Sequence, residues 1–346
     1  MIKILHSGDW HLDSPLQGKT AALRGELQKI PGKLAALCRE EQCDLVLLSG
    51  DLFDGAYSPQ TYRLVYEALA QMEVPVLIAP GNHDYLCPQS PYEREIWPEN
   101  VHIFHKQQIQ WVDFPHLDLR VYGAGFESMD CPPLLEDFRA EENAVAVFHA
   151  DPTQANSPYN PVTKSQVARC GLRYLALGHV HKGGAFREGN TLCAWPGCPA
   201  GRGWDEQGEK GALIVTLAEE AQLRFVPLGA PQFHDLTADV SAGVGSVLPA
   251  VENEDFYRIT LTCESNPLDL DALQAQFGAF PNLVLRDATV QPVDIWRSAG
   301  EDSFEGVYFA ILKNMLENAA EEEKETILLA AKLSRRLLEG QEVALP

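Results

Sequence analysis

Leu45-Val46-Leu47-Leu48-Ser49-Gly50-Asp51-Leu52-Phe53-Asp54 is the stretch on which the fold turns. Its first four residues are apolar without alternation, as in a strand covered on both faces, the habit of parallel strands in α/β domains. The run breaks at a glycine, which tolerates the sharp turn a strand end requires, and two aspartates follow. The same pattern recurs along the chain. Asp9 and His11 come just after Ile2–Leu5. Asn82 and His83, in Gly81-Asn82-His83-Asp84, follow Val74–Ala79. His149 ends Ala144–Phe148, and His179 and His181, in Gly178-His179-Val180-His181, follow Tyr174–Leu177. In open α/β sheets ligands bind beyond the carboxyl ends of the strands. Five strands should therefore deliver these side chains to one edge.

The residue types say what that edge can hold. Carboxylates, imidazoles and one amide oxygen suit manganese, iron or zinc, and the absence of thiolate argues against a structural zinc site. A carboxylate has two oxygens, so one aspartate can bridge two ions about 3.5–4 Å apart. Asp9-x-His11 and His179-x-His181 place two ligands on one side of an extended segment. Singly, each motif has a bland reading: an Asn in a left-handed turn, or two histidines at a strand end. Together and in this order they predict that Asp9, His11, Asp51, Asp54, Asn82, His83, His149, His179 and His181 converge on one site able to hold divalent metal ions.

The surrounding text is that of an α/β domain. Further strands are expected at Leu119–Tyr122, Thr191–Trp195, Ala212–Leu217 and Gln222–Val226. Ser58-Pro59 is a helix start, with Ser as N-cap and Pro at the first helical position, and Val65, Ala68, Leu69 and Met72 should face the core. The small, flexible run Ser241-Ala242-Gly243-Val244-Gly245 suggests a boundary. The expected organisation is a main domain over 1–235, a small α+β capping domain over 246–300, with a strand at Phe256–Thr262 and a short helix at Leu268–Phe277, and C-terminal helices over 301–346. Phe304, Val307, Tyr308, Ile311, Leu312, Met315 and Leu316 make one apolar stripe, followed by a second helix at Ala320–Leu338. The pair reads either as a hairpin folded on its own domain or as a docking element for a partner.

Composition sets bounds. The 346 residues are 45% hydrophobic and 22% charged, ordinary for a globular protein. No apolar run approaches the roughly 20 residues needed to span a bilayer, and the start is too soon interrupted for a signal peptide. The 8 cysteines show no framework spacing. A cytoplasmic protein with no membrane association is expected. The net charge of −22 repels polyanions at long range and counts against nucleic acid as a partner.

Longer motifs refine the reading. His6-Ser7-Gly8-Asp9-Trp10-His11-Leu12-Asp13-Ser14-Pro15, Gly178-His179-Val180-His181-Lys182, Trp195-Pro196-Gly197 and Gly201-Arg202-Gly203-Trp204-Asp205-Glu206, with Gly208-Glu209-Lys210-Gly211 behind, accompany the motifs above. The series resembles the calcineurin-like metallophosphoesterases, whose core is a β-sandwich flanked by helices. Within them it is similar to the SbcD-type DNA repair nucleases and their bacterial YhaO-like relatives. The resemblance covers about residues 1–230 and is only architectural beyond 246. It implies that Asp9, His11, Asp51 and His181 hold one metal, that Asp51, Asn82, His149 and His179 hold the other, and that Asp51 bridges. It also implies that His83 faces the phosphate as a catalytic group, oriented by Asp84. Some nucleases of this family have His at the position of Asp54; SbcD-type members often have Asp, as here.

By the same resemblance, the expected activity is that of a manganese-dependent DNA exonuclease, in which a hydroxide bridging two Mn2+ ions attacks phosphorus in line with the leaving oxygen. DNA, an SbcC-like coiled-coil ATPase on the C-terminal helices and a second copy in a homodimer are the implied partners. A small-molecule phosphodiesterase or phosphatase uses the same core. A non-catalytic scaffold predicts gaps among the ligands, and the sequence has none.

Overall fold

The computed structural model describes residues 1–16, 21–141, 143–251 and 253–340. The expected C-terminal helical region therefore falls, at 341–346, outside the described residues. The chain divides into two compact units, one of residues 1–234 with 254–256, the other of 235–253 with 257–346.

In chain order the first unit runs β1 (Ile2–Ser7), α1 (Ala21–Glu40), β2 (Leu45–Leu48), α2 (Pro59–Ala70), β3 (Val76–Ile78), α3 (Pro91–Arg94), β4 (Val101–Ile103), β5 (Gln110–Phe114), β6 (Leu119–Gly123), β7 (Ala144–His149), α4 (Lys164–Arg169), β8 (Tyr174–Gly178), β9 (Lys182–Glu188), β10 (Thr191–Gly197), β11 (Gly211–Leu217) and β12 (Ala221–Pro227). The strands form two six-stranded sheets, ordered β12-β11-β1-β2-β3-β4 and β5-β6-β7-β8-β10-β9. β1, β2 and β3 are parallel neighbours, as are β7 and β8.

The continuous apolar runs are explained by what covers each face. Ile4, Leu45, Leu47 and Leu77 of one sheet meet Val121, Val145, Val147 and Ala176 of the other. The alternate residues Leu5, Val46 and Leu48 point outward, where Ile30 and Leu34 of α1 and Val65 and Leu69 of α2 cover them. Ala146, Phe148 and Leu177 face outward from the second sheet, toward Val167 of α4. The central strands of both sheets are thus buried on both sides, which is why every second residue need not be polar there. α2 starts as expected: the Ser58 hydroxyl accepts from the Thr61 N–H, and Pro59 opens the helix.

β13 (Phe233–Asp239) begins in the first unit and continues into the second, which goes on with β14 (Phe256–Thr262), α5 (Leu270–Ala275), β15 (Leu283–Asp287), α6 (Phe304–Asn318) and α7 (Glu321–Leu338). β13, β14 and β15 make a three-stranded sheet. α6 and α7 pack through Phe309, Ala331, Tyr308, Leu312 and Leu328. The rest of the predicted stripe splits away, leaving Phe304, Val307, Ile311 and Met315 exposed. Among the described residues no helix is long and apolar enough to cross a membrane.

Candidate metal centre

The turns that follow β1, β2, β3 and β8, together with the last residue of β7, meet at one place. The N–H of Asp9 donates to Gly50 O at 2.9 Å and that of His11 to Asp51 O at 2.9 Å. The His179 N–H donates to the Asp9 carboxylate at 2.9 Å, and His149 Nδ1 bonds Ser49 O at 2.9 Å. These turns are tight enough to force unusual backbone. Asp9, His11, Asp51 and His179 adopt φ values of 53°, 46°, 52° and 87°, a left-handed region that non-glycine residues enter at a cost. Glycine is required between them. A Cβ at Gly81 would stand 2.2 Å from Asp51 Oδ1 and 2.8 Å from His149 Nδ1.

The seven side chains expected to share a pocket lie close together. His11 Nε2 and His181 Nε2 face each other at 3.1 Å. His149 Nε2 lies 2.8 Å from Asn82 Oδ1 and 3.2 Å from His179 Nδ1, which is itself 3.3 Å from Asn82 Oδ1. Asp51 Oδ2 is between the two groups, 3.7 Å from His11 Nε2 and 3.3 Å from His149 Nε2. Asp9 has a carboxylate oxygen within 4.8 Å of donor atoms of His11 and His181, and likewise of Asp51 and His149.

One expectation is corrected. Asp84 does not orient His83. Its carboxylate is buried and turned into backbone, accepting from the N–H groups of Gly81, Asp51, Leu52 and Phe53 and from the Tyr92 hydroxyl. His83 Nδ1 instead bonds Asp54 Oδ1 at 2.6 Å, leaving Nε2 free of that contact on a half-exposed ring. Adjacency misleads because a residue one step on in a tight turn points another way, and Asp84 is committed to closing that turn.

Two further residues reach the site without having been predicted there. Glu206 Oε1 accepts from His181 Nδ1 at 2.7 Å and pairs with Arg202 Nη2 at 2.8 Å, while Arg202 Nη1 stands 4.0 Å from Asp54 Oδ2. A carboxylate behind a histidine fixes which ring nitrogen faces forward, the usual support of a metal-ligating imidazole. The sequence signal was the Gly201-Arg202-Gly203 run, where a Cβ at Gly201 would stand 2.9 Å from Glu206 O.

Electrostatics test whether cations fit. Burial pushes the Asp51 carboxyl up to about 8, with Asp84 adding repulsion, and pushes Asp9 up to about 6. Burial lowers the imidazoles of His11 and His179 to about 3 and that of His149 in the same direction. Burial would also raise Asp54, but the neighbouring His11, His83 and Ser14 side chains together outweigh it and hold that carboxyl well below the usual range. His83 is raised, chiefly by Asp54. Burial lowers His181, but the bond to Glu206 and the charges of Asp9 and Glu206 together outweigh it and raise that imidazole. Neutral imidazoles around crowded, dehydrated carboxylates lack positive charge of their own. His11 Nδ1 is buried without a hydrogen bond. The N/O donor set, the facing ring nitrogens and the central carboxylate fit divalent cations.

Residues 2–183 match the calcineurin-like phosphoesterase family. The uncharacterized metallophosphoesterase YhaO of Bacillus subtilis (strain 168) is 29% identical over 235 residues, covering 62% of this chain and 57% of that protein. The chain thus spans little more than half of YhaO. One of the subunits of the nuclease SbcCD of the same organism is 23% identical over 273 residues, covering 64% of this chain and 67% of that protein. Among solved structures, a dimetal phosphatase from Danio rerio is similar at 12% identity and a TM-score of 0.43, covering 66% of this chain and 97% of that one.

Proposed function

Because the chain belongs to the calcineurin-like phosphoesterase family, we propose that it is a two-metal phosphodiesterase and, within that class, a manganese-dependent DNA nuclease. The observation that carries the two-metal reading is the central place of Asp51 Oδ2, between His11 Nε2 at 3.7 Å and His149 Nε2 at 3.3 Å. Asp9, His11, Asp51 and His181 would hold one cation, and Asp51, Asn82, His149 and His179 the other. Such a pair, when bound, supplies Lewis acidity for phosphoryl oxygens and acidifies water.

The chain's own groups do the rest. Asp54 holds His83 through Nδ1, so that Nε2 is presented to a phosphate and can donate a proton to the leaving oxygen, a role worth about 10²–10⁴ in rate. Glu206 fixes the ring of His181. Arg202, braced by Glu206, adds a guanidinium suited to a phosphate oxygen. The similarity to a subunit of the nuclease SbcCD supports a nucleic acid as substrate. An SbcC-like coiled-coil ATPase docking on the exposed apolar face of α6, a homodimer and a cytoplasmic setting belong to the same proposal.

The net charge of −22 favours a second reading, a small-molecule phosphodiesterase. Purified protein with manganese, assayed on a chromogenic phosphodiester, a chromogenic monoester and linear DNA, tests both. Cleavage of diester and DNA is expected. Diester cleavage without DNA cleavage favours the small-molecule reading, monoester preference favours a phosphatase, and silence on all three refutes catalysis.

A further inference from the structure

β9, β10, β11 and β12 wall a cavity of about 450 Å³ that includes none of the proposed metal ligands. Its walls are mostly apolar, formed by Trp195, Pro196, Leu213, Leu223 and Phe225. Two features make it more than a surface dent. The Trp195 indole N–H is already spent on Lys182 O at 2.8 Å, so the ring offers the cavity apolar surface and not a donor. It lies there because position 184 is glycine: a Cβ at Gly184 would stand 2.4 Å from Trp195 Cζ2.

The second feature is Lys210. It lines the cavity, is only 7% exposed, and its side chain has no hydrogen-bond or ion-pair partner among the described residues. Its Nζ still reaches solvent, so with no counter-ion held inside the chain it is open to an anion entering the cavity. Glu209 reaches the rim without pairing to it, and Lys182 stands exposed at the opening.

An apolar cavity of this size with one convergent charge is the usual form of a small-molecule site. We propose that it binds a small, flat aromatic molecule carrying one anionic group, the anion seated on Lys210 and the ring against Trp195 and Phe225. Naphthalene-1-sulfonate is the probe and naphthalene-1-sulfonamide its uncharged match, both titrated calorimetrically into the full chain. The sulfonate is expected to bind 1:1. Lys210→Met should weaken it by about tenfold or more, the loss of a charge-assisted contact. Leu223→Asp, on an exposed strand position where folding is not at stake, should weaken it similarly by placing a carboxylate at the mouth. Arg202→Met, at the metal centre, should leave it unchanged. The proposal is overturned if the sulfonate fails to bind at millimolar concentration, if the sulfonamide binds equally well, if Lys210→Met and Leu223→Asp both stay within twofold of the parent, or if Arg202→Met alone abolishes binding.

Discussion

Asp84→Asn is expected to damage the fold and not the chemistry. In the parent, Oδ1 accepts from the N–H groups of Gly81 at 2.8 Å and Asp51 at 3.2 Å, while Oδ2 accepts from Leu52 at 2.7 Å, Phe53 at 3.3 Å and the Tyr92 hydroxyl at 2.6 Å. Asparagine keeps one oxygen and turns the other into a donor, so whichever way the amide sits, at least two buried N–H groups face an N–H. Each buried donor left unsatisfied costs about 1–3 kcal/mol, giving about 4 kcal/mol for two. Against a total stability of about 5–15 kcal/mol that is a large fraction. At about 2–4 °C per kcal/mol for a domain of this size, Tm should fall by about 10 °C. The assay is thermal unfolding followed by near-UV circular dichroism in EDTA, which keeps metal linkage out of the result. A Tm within about 2 °C of the parent, the shift expected for less than 1 kcal/mol, together with lost diester hydrolysis, would refute the reasoning and return Asp84 to the role of orienting His83.

The companion variant should do the reverse. Asp54→Asn is expected to keep Tm and metal content but lose about 10²-fold in kcat on a chromogenic diester, since the charged acceptor that holds His83 Nδ1 is lost; an unchanged kcat would free His83 of that dependence. Gly81→Ala must move Asp51 Oδ1 by at least 0.8 Å to bring a 2.2 Å contact to 3.0 Å. Misplacement on that scale costs about 10²-fold in rate, and manganese titration should show both sites weakened together, whereas loss of one alone contradicts the shared carboxylate. Acid stability follows His6, buried with Nδ1 2.6 Å from the Tyr174 hydroxyl and Nε2 3.1 Å from Ser49 Oγ. Burial lowers its pKa from 6.5 to about 3, so it stays neutral when folded while the unfolded chain takes up a proton. The associated stability is complete above pH 6.5 and lost as pH falls toward 3, about 3 kcal/mol of it by about pH 4.5. In urea unfolding of metal-free protein, His6→Gln should therefore lose about 3 kcal/mol less than the parent between about pH 7 and 4.5; equal losses would refute the assignment.

How much of this could be read beforehand depended on what buried each segment. β2 and β14 were legible to the residue, the first because both faces are covered, the second because Phe256–Thr262 alternates. The convergence of the candidate-site residues was legible because parallel strands bring their ends to one edge whatever the loops do between. β9 was not, since Lys182-Gly183-Gly184 opens an exposed edge strand with residues that weaken strands. β15 escaped because only Leu283 and Leu285 of its five residues are buried. α1 carries Gly25, Pro31 and Gly32 inside it, and forms because Leu27, Ile30 and Leu34 are held in the core. The partners of the histidines were the least legible part. Asp54 for His83 and Glu206 for His181 are contacts 29 and 25 residues apart in sequence, and no spacing rule reaches across such loops.

The central claim is that one carboxylate is shared by two cations. Crystals grown with manganese, measured for anomalous scattering, test it directly. The account predicts two peaks about 3.5–4 Å apart, one on each side of Asp51, both absent from Asp51→Asn. A single peak, or two ions retained at full occupancy in that variant, would contradict it.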